Sequence, residues 1–378
     1  MQPYGLSLLR QYPHWYLLVL SIAIGSLIIT GILYRFALTN KLLPAIRGRD
    51  VHTTRKPRVG GVAMWITAMV AFFLLAIPHS PFQHLSFGMA SVWGIDRSLF
   101  GIIIGMVILL GFGLFDDIKG LSPSQQLLGQ FLAATAIIWG GIQAAYIRLP
   151  FNGILYLNIH AFTLPSWLGS ATIWPFSALF SYLWVIAMIN VLNFFDGLDG
   201  LAGSISVTSA AVLFLVCLRL GFLGPATLAL VVLGIALGFL PWNWYPSKLF
   251  MGTVGSQMLG FLLAVTAIIS GAKVATAILV LGIPLLDALV VIGRRLIAHR
   301  SPFEADQRHL HHRLLRIGLP VPYVVLLINA VAVVFGLFAL RTQNAAGKGI
   351  LTLVLVVCMV LFILVTYLLE RKVAKRVH

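Results

Sequence analysis

Eleven apolar stretches, most of them close to twenty residues long, leave this chain little choice of architecture. They centre on residues 16–38, 60–77, 99–115, 127–146, 175–195, 202–221, 225–241, 255–271, 273–293, 320–340 and 349–369. A span needs about 20 apolar residues, and a backbone crossing lipid must satisfy its own polar groups, so helices are expected. The composition agrees, with 60% hydrophobic and 10% charged residues and a mean hydropathy of +0.99; a soluble chain carries roughly 25% charged residues. The expectation is an all-α integral membrane protein of about eleven transmembrane helices, one polytopic domain over residues 1–378. The first apolar run is long enough to span and no basic region precedes a short core, so no cleavable signal peptide is expected. Cys217 and Cys358 both fall inside apolar runs, which argues against a disulfide framework or a thiolate metal site.

Charge sets the expected orientation. Of 26 Lys and Arg residues, 18 fall in segments 39–59, 116–126, 242–254, 294–319 and 370–378, and 7 on the opposite side. The positive-inside rule then places the N-terminus outside, the C-terminus inside and the basic loops in the cytoplasm. Of the ten acidic residues only Asp96 is expected outside, and Asp287 falls within the ninth span. A pore or transporter would set polar groups at both mouths and at the midplane; gathering them on one face suits an enzyme at the cytoplasmic interface. The net charge of +16 is spread between spans. Membrane lipids and a polyanionic small substrate are therefore the expected partners, and nucleic acid is not. The outer loop 147–174, rich in aromatic and aliphatic residues, carries no functional reading.

Residues 190–203 read Asn-Val-Leu-Asn-Phe-Phe-Asp-Gly-Leu-Asp-Gly-Leu-Ala-Gly. Polar groups at a helix mouth are costly in a membrane and functional by default, and glycines let the backbone approach a ligand. Asp196 and Asp199 are spaced to face one pocket, or else are solvated in a tight turn. Four further stretches lie on the same expected face. Arg55, Lys56 and Arg58 precede Gly60-Gly61, as a phosphate-binding turn ahead of a helix or as a topology signal. Asp116-Asp117 ends the third span, where adjacent carboxylates favour a hard cation such as Mg²⁺ or are simply solvated. Residues 241–256 open the eighth span with small residues suited to an anion, and their aromatics suit either base stacking or the interfacial belt. Arg308, His309, His311, His312 and Arg313 form a dense cationic patch. Zinc binding there is the rival, but it lacks a His-Glu-x-x-His pattern and a Cys partner.

Together these stretches resemble the polyprenyl-phosphate N-acetylhexosamine-1-phosphate transferases of glycosyltransferase family 4. The resemblance spans about residues 40–320. It is carried by His52 with Pro57-Arg58 and Gly60-Gly61, Phe115-Asp116-Asp117, residues 190–203, residues 243–256, and Ser301-Pro302-Phe303 leading to His309-Leu310-His311-His312-Arg313-Leu314. The His-Leu-His-His-Arg-Leu form is similar to the undecaprenyl-phosphate GlcNAc-1-phosphate transferases that start O-antigen, common antigen or teichoic acid synthesis, more than to the lipid I branch. The resemblance implies an active site on the cytoplasmic side of a bacterial inner membrane, and transfer of N-acetylhexosamine 1-phosphate from a UDP-sugar to polyprenyl phosphate with release of UMP. It implies Mg²⁺, with Mn²⁺ as a substitute, and admits a homodimer. Residue by residue, it implies catalytic roles for Asp116, Asp117, Asp196, His311 and His312. Substrate contacts fall to Arg58, Asn190, Asp199, Asn243, Phe250, Arg308 and Arg313, and the metal position to Asn193, Asp196 and residue 253.

Two positions depart from the family pattern. Thr253 stands where the family has a metal-binding Asp, and Gln126 where a basic residue is common. A hydroxyl is a weaker ligand than a carboxylate. The expectation divides between an impaired or non-catalytic binding homologue and an enzyme in which Asp116, Asp117 and Asp196 compensate.

Overall fold

The computed structural model describes residues 14–42, 55–76, 91–92, 95–148, 153–165, 171–270, 274–299, 309–342 and 345–377. His52, Ser301, Pro302, Phe303 and Arg308 lie outside the described residues. The apolar runs form helices in chain order: α1 (His14–Thr39), α2 (Gly60–Ala76), α3 (Arg97–Lys119), α4 (Pro123–Trp139), α5 (Pro175–Phe195), α6 (Leu201–Arg219) and α7 (Leu223–Asn243). There follow α8 (Gly252–Ile269), α9 (Val274–Val280), α10 (Gly282–Ile297), α11 (Leu310–Arg316), α12 (Val321–Arg341) and α13 (Ala345–Val377).

Eight of these helices are long and apolar enough to cross a membrane: α1, α3, α5, α6, α7, α8, α12 and α13. The protein is thus an all-helical, multi-pass integral membrane protein. The difference from eleven has a local cause in each case. Helices α2 and α4 have 17 residues each, about 25 Å at 1.5 Å per residue and short of the roughly 30 Å hydrocarbon layer. The stretch 273–293 breaks into α9 and α10, which meet at 83° and make a ninth crossing only if counted as one. Three short antiparallel pairs lie between helices: β1 (Ser91–Val92) with β2 (Ile95–Asp96), β3 (Tyr146–Arg148) with β4 (Ile154–Tyr156), and β5 (Phe162–Thr163) with β6 (Thr172–Ile173). The last two pairs give the segment from Tyr146 to Ile173 paired strands that the apolar pattern did not announce.

Helix α8 is the centre of the bundle. Every residue from Gly252 to Ile268 is buried, as expected of a helix that is apolar all round. It packs against α2, α3, α5, α6 and α7. In lipid, helices approach closely where small residues meet. A Cβ on Gly260 would come within 2.5 Å of the Met188 carbonyl oxygen of α5, and Gly61 of α2 sits directly on Gly255. Any side chain at either place would push α8 away, and with it the N-terminal turn that enters the polar end of the bundle. Helix α10 differs: it is amphipathic, burying Asp287 and Arg295 while Leu289 and Ile297 stay exposed.

Candidate active site

Helix α3 stops at Gly120, whose φ of +76° suits glycine and whose N–H returns to the Asp116 carbonyl. Ser122 then opens α4 with a capping box to Gln125, and Pro123 lies in the first turn. This tight reversal surrounds Asp116. The Leu121 N–H donates to Asp116 Oδ1 at 2.8 Å, and Gln126 Nε2 donates to the same oxygen at 2.9 Å. From across the bundle the Thr253 hydroxyl donates to Asp116 Oδ2 at 2.5 Å. Asp117 instead sits on the N-terminus of α8, with the Thr253 N–H 3.1 Å from each of its oxygens. Gly252 at φ +68° permits this seat, since a Cβ there would lie 2.5 Å from Asp117 Oδ2. A carboxylate at a helix N-terminus meets unpaired donors and the positive end of the dipole. The anion expected at this mouth is the protein's own. Arg58, half-buried ahead of α2, acts electrostatically on Asp117.

A second network ties three connections together. Buried Asp199 accepts the Ser247 N–H at 2.9 Å and the Ser247 hydroxyl at 2.8 Å. Lys56 Nζ lies 3.7 Å from Asp199, donates to Ser247 Oγ at 3.1 Å and stands 5.3 Å over the Phe250 ring. Asn243 accepts the Gly200 N–H at 3.1 Å and donates to the Leu249 carbonyl at 3.2 Å. The Phe250 N–H donates to the Pro57 carbonyl, and the Gly60 and Gly61 N–H groups return to Phe250 and Met251. Asp199, Asn243 and Phe250, three of the residues expected to contact substrate, therefore meet at one place. Each also holds the loops that present it.

Helix α11 closes the third side. His311 is fully buried, and among the described residues neither ring nitrogen has a hydrogen-bond partner. Its Nε2 lies 2.9 Å from where a Cβ on Gly197 would be, and that of His312 lies 3.7 Å from the same point. Burial, reinforced by His312 and His309, holds His311 well below the ordinary imidazole range, so it is neutral near pH 7. Its ring stacks parallel to His309 with centroids 5.8 Å apart and meets Phe195 edge-on. Arg313 is buried on the same short helix.

Asp196 is half-buried at the C-terminus of α5, its N–H bonded to the Leu192 carbonyl. Asn193, one turn earlier, donates to Ser256 of α8 at 3.0 Å. Asn190 lies a further turn away from the loop and exchanges amide hydrogen bonds with buried Gln130 of α4, at 2.6 and 3.3 Å. Sequence reasoning did not single out Gln130 or Ser247. A lone Gln in an apolar run and a Ser in an aromatic loop carry no pattern until the chain is folded.

Among the described residues no three His, Cys, Asp or Glu side chains gather on one point. What gathers is two carboxylates, Asp116 and Asp117, beside the Thr253 hydroxyl. Mg²⁺ is commonly held by one or two carboxylates, with water and substrate phosphates completing its shell. The all-oxygen set fits that class of ion, and it lacks the sulfur and imidazole ligands of structural zinc.

A helical bundle that brings acidic, amide and basic side chains together at one end has the makings of a membrane-embedded transferase for phosphorylated substrates. The family model for glycosyl transferase family 4 matches residues 99–271. A decaprenyl-phosphate N-acetylglucosaminephosphotransferase of Mycobacterium leprae is 30% identical over 334 residues, covering 82% of this chain and 79% of its own length. A probable undecaprenyl-phosphate N-acetylglucosaminyl 1-phosphate transferase of Bacillus subtilis is 29% identical over 326 residues, covering 84% and 82%. A phospho-N-acetylmuramoyl-pentapeptide-transferase of Pelotomaculum thermopropionicum is 34% identical over 263 residues, covering 63% and 75%. The chain belongs to glycosyl transferase family 4, in the branch of the polyprenyl-phosphate N-acetylhexosamine-1-phosphate transferases, and is by membership a sugar-1-phosphate transferase.

Proposed function

We propose that the chain transfers N-acetylhexosamine 1-phosphate from a UDP-sugar to polyprenyl phosphate, with undecaprenyl phosphate as the acceptor. An oxygen of the lipid phosphate attacks the β-phosphorus; the bond to the bridging oxygen breaks, and UMP leaves with that oxygen. One phosphoanhydride replaces another, so the protein's work is positioning and charge neutralisation. The observation that carries this reading is the seating of Asp116 and Asp117 on the first turn of α8, with His311 and His312 of α11 set against Gly197 of the 196–200 loop. The relatives named for decaprenyl or undecaprenyl phosphate and N-acetylglucosamine support GlcNAc as the sugar.

In this reading Asn243, Phe250 and Asp199 take the nucleotide, and Asn190 steadies the helix behind them. Arg58, Arg313, His311 and His312 face the diphosphate and sugar, where guanidinium groups bind phosphate in a fixed fork. Arg308 is assigned the same role. Asp116 and Asp117, beside the Thr253 hydroxyl, would hold Mg²⁺, or Mn²⁺ in its place; Asn193 and Asp196 are the further metal positions that the family resemblance assigns. The bound ion offsets diphosphate charge. The N-terminus is outside and the C-terminus inside, in a bacterial inner membrane, with the site at the cytoplasmic face. The product is the first lipid-linked intermediate of an O-antigen, common antigen or teichoic acid type of glycan.

The test is UMP release from UDP-GlcNAc and related UDP-sugars, with undecaprenyl phosphate supplied and Mg²⁺ present or chelated. Mg²⁺-dependent release is expected. No release from either this chain or a Thr253→Asp variant would overturn the reading; UDP-sugar binding without turnover at saturating Mg²⁺ would identify a non-catalytic homologue.

A further inference from the structure

Asp287 has no part in the reaction just described, yet its carboxylate is buried at 3% exposure. A buried charge persists only when it is paired. Both oxygens are used: Oδ2 lies 2.7 Å from His309 Nδ1, and Oδ1 accepts the Leu310 N–H at 2.9 Å. These partners lie across the connection from α10 to α11 and mark the first turn of α11. That helix has seven residues, and His309 at its N-cap position supplies no side-chain cap. A helix of that length has no stability of its own, so its placement is imposed from outside. The Asp287 carboxylate supplies the missing cap. It also draws the His309 proton to Nδ1, which fixes the tautomer and orientation of the ring. His309 then lies parallel to His311, at an interplanar angle of 4°, and His311 is held against Gly197.

We propose that Asp287 is a positioning residue for transfer: from α10 it sets His309 and the first turn of α11, and so holds His311 at the 196–200 loop. This rests on the reading of α11 as the element that faces the diphosphate.

The test uses the full chain in lipid nanodiscs. Asp287→Asn keeps the size but turns an amide donor towards an N–H. The expected result is a fall in kcat for UMP release of about 10- to 100-fold, the scale seen when a partner that orients a functional histidine is removed. KM for UDP-GlcNAc and the melting temperature should stay close to those of the unmodified chain. In a His311→Ala background the same substitution should add less than about a threefold loss, because the two changes cut one route. Equal losses in both backgrounds, or no loss in the first, overturn the proposal. If Asp287→Asn does not fold, His309→Asn, which keeps an N–H near the Nδ1 position, is compared with His309→Phe; equal loss in the two also overturns it. A readout independent of activity is diethyl pyrocarbonate labelling mapped by mass spectrometry. His311 should be protected in the unmodified chain and label several-fold faster in Asp287→Asn, and unchanged labelling overturns the proposal. Should neither the unmodified chain nor its Thr253→Asp variant release UMP, the transfer reading fails, and labelling still decides whether Asp287 places His311.

Discussion

The hydroxyl of Thr253 donates a 2.5 Å hydrogen bond to Asp116 Oδ2, while Gln126 holds the opposite oxygen. Gln126 and Thr253, the two positions expected to depart from the family pattern, therefore act on one carboxylate. Thr253→Asp would set a carboxylate against Asp116 and beside Asp117. Two like charges about 4 Å apart at an effective dielectric near 20 cost on the order of 4 kcal/mol. The variant should melt lower than the unmodified chain in chelator and recover more stability when Mg²⁺ is added. Thermal melts of both proteins with and without Mg²⁺ check this; an equal shift in the two would mean that the new carboxylate draws no cation.

Gln126 is placed as a donor to Asp116. Gln126→Ala should remove about 1 kcal/mol of net hydrogen bonding, roughly a fivefold loss in kcat/KM if the carboxylate's orientation matters to transfer. Gln126→Glu replaces the donor by a like charge and should cost more than the alanine change. UMP-release kinetics on the pair give the order, and a glutamate variant as active as the alanine one would contradict it.

Gly197 has no room for a side chain on its histidine face, since a Cβ would stand 2.9 Å from His311 Nε2. Gly197→Ala should displace His311 or the loop by a few tenths of an ångström. Misplacement of about 1 Å in an active site costs up to roughly 100-fold, so a fall in kcat of about tenfold is expected with the bundle intact. Kinetics alongside a melt separate this from unfolding.

Stability should fall on acidification because of His311. Burial, reinforced by His312 and His309, holds its pKa in the folded protein well below the ordinary imidazole value of 6.5. As pH drops through 6.5 the unfolded chain takes up a proton that the folded chain refuses, so unfolding is favoured. The slope is at most about 1.4 kcal/mol per pH unit for one group. His311→Gln should flatten the dependence of melting temperature on pH below 6.5; an unchanged profile would assign it to other groups.

Much of this site was legible in the order of the residues. Asp116-Asp117, the 196–200 loop, Asn243, Phe250 and the histidines of α11 were all marked by polar groups interrupting apolar runs, and the fold brings them to one end. Their pairings were not legible. Asp199 meets Ser247 across 48 positions and Asn190 meets Gln130 across 60, and hydrophobic periodicity carries no information about which loop faces which. The same limit applies to Asp287, which reads as one carboxylate in an apolar run until His309 is folded onto it. The number of crossings is less legible: α2 and α4 stop at 17 residues, and the ninth stretch bends at Leu281, between α9 and α10.

The seat of Asp117 on the end of α8 has a consequence for how a diphosphate would be recognised. Backbone amides at a helix end hold a phosphate at one fixed point, and here the Thr253 amide is turned to an internal carboxylate. In the proposed reaction the counter-charge comes instead from long side chains, Arg58 and Arg313, mounted on separate segments. Such groups can follow a phosphorus atom as it moves from the departing nucleotide to the arriving lipid. On the proposed reading, the site serves a travelling charge rather than a stationary one.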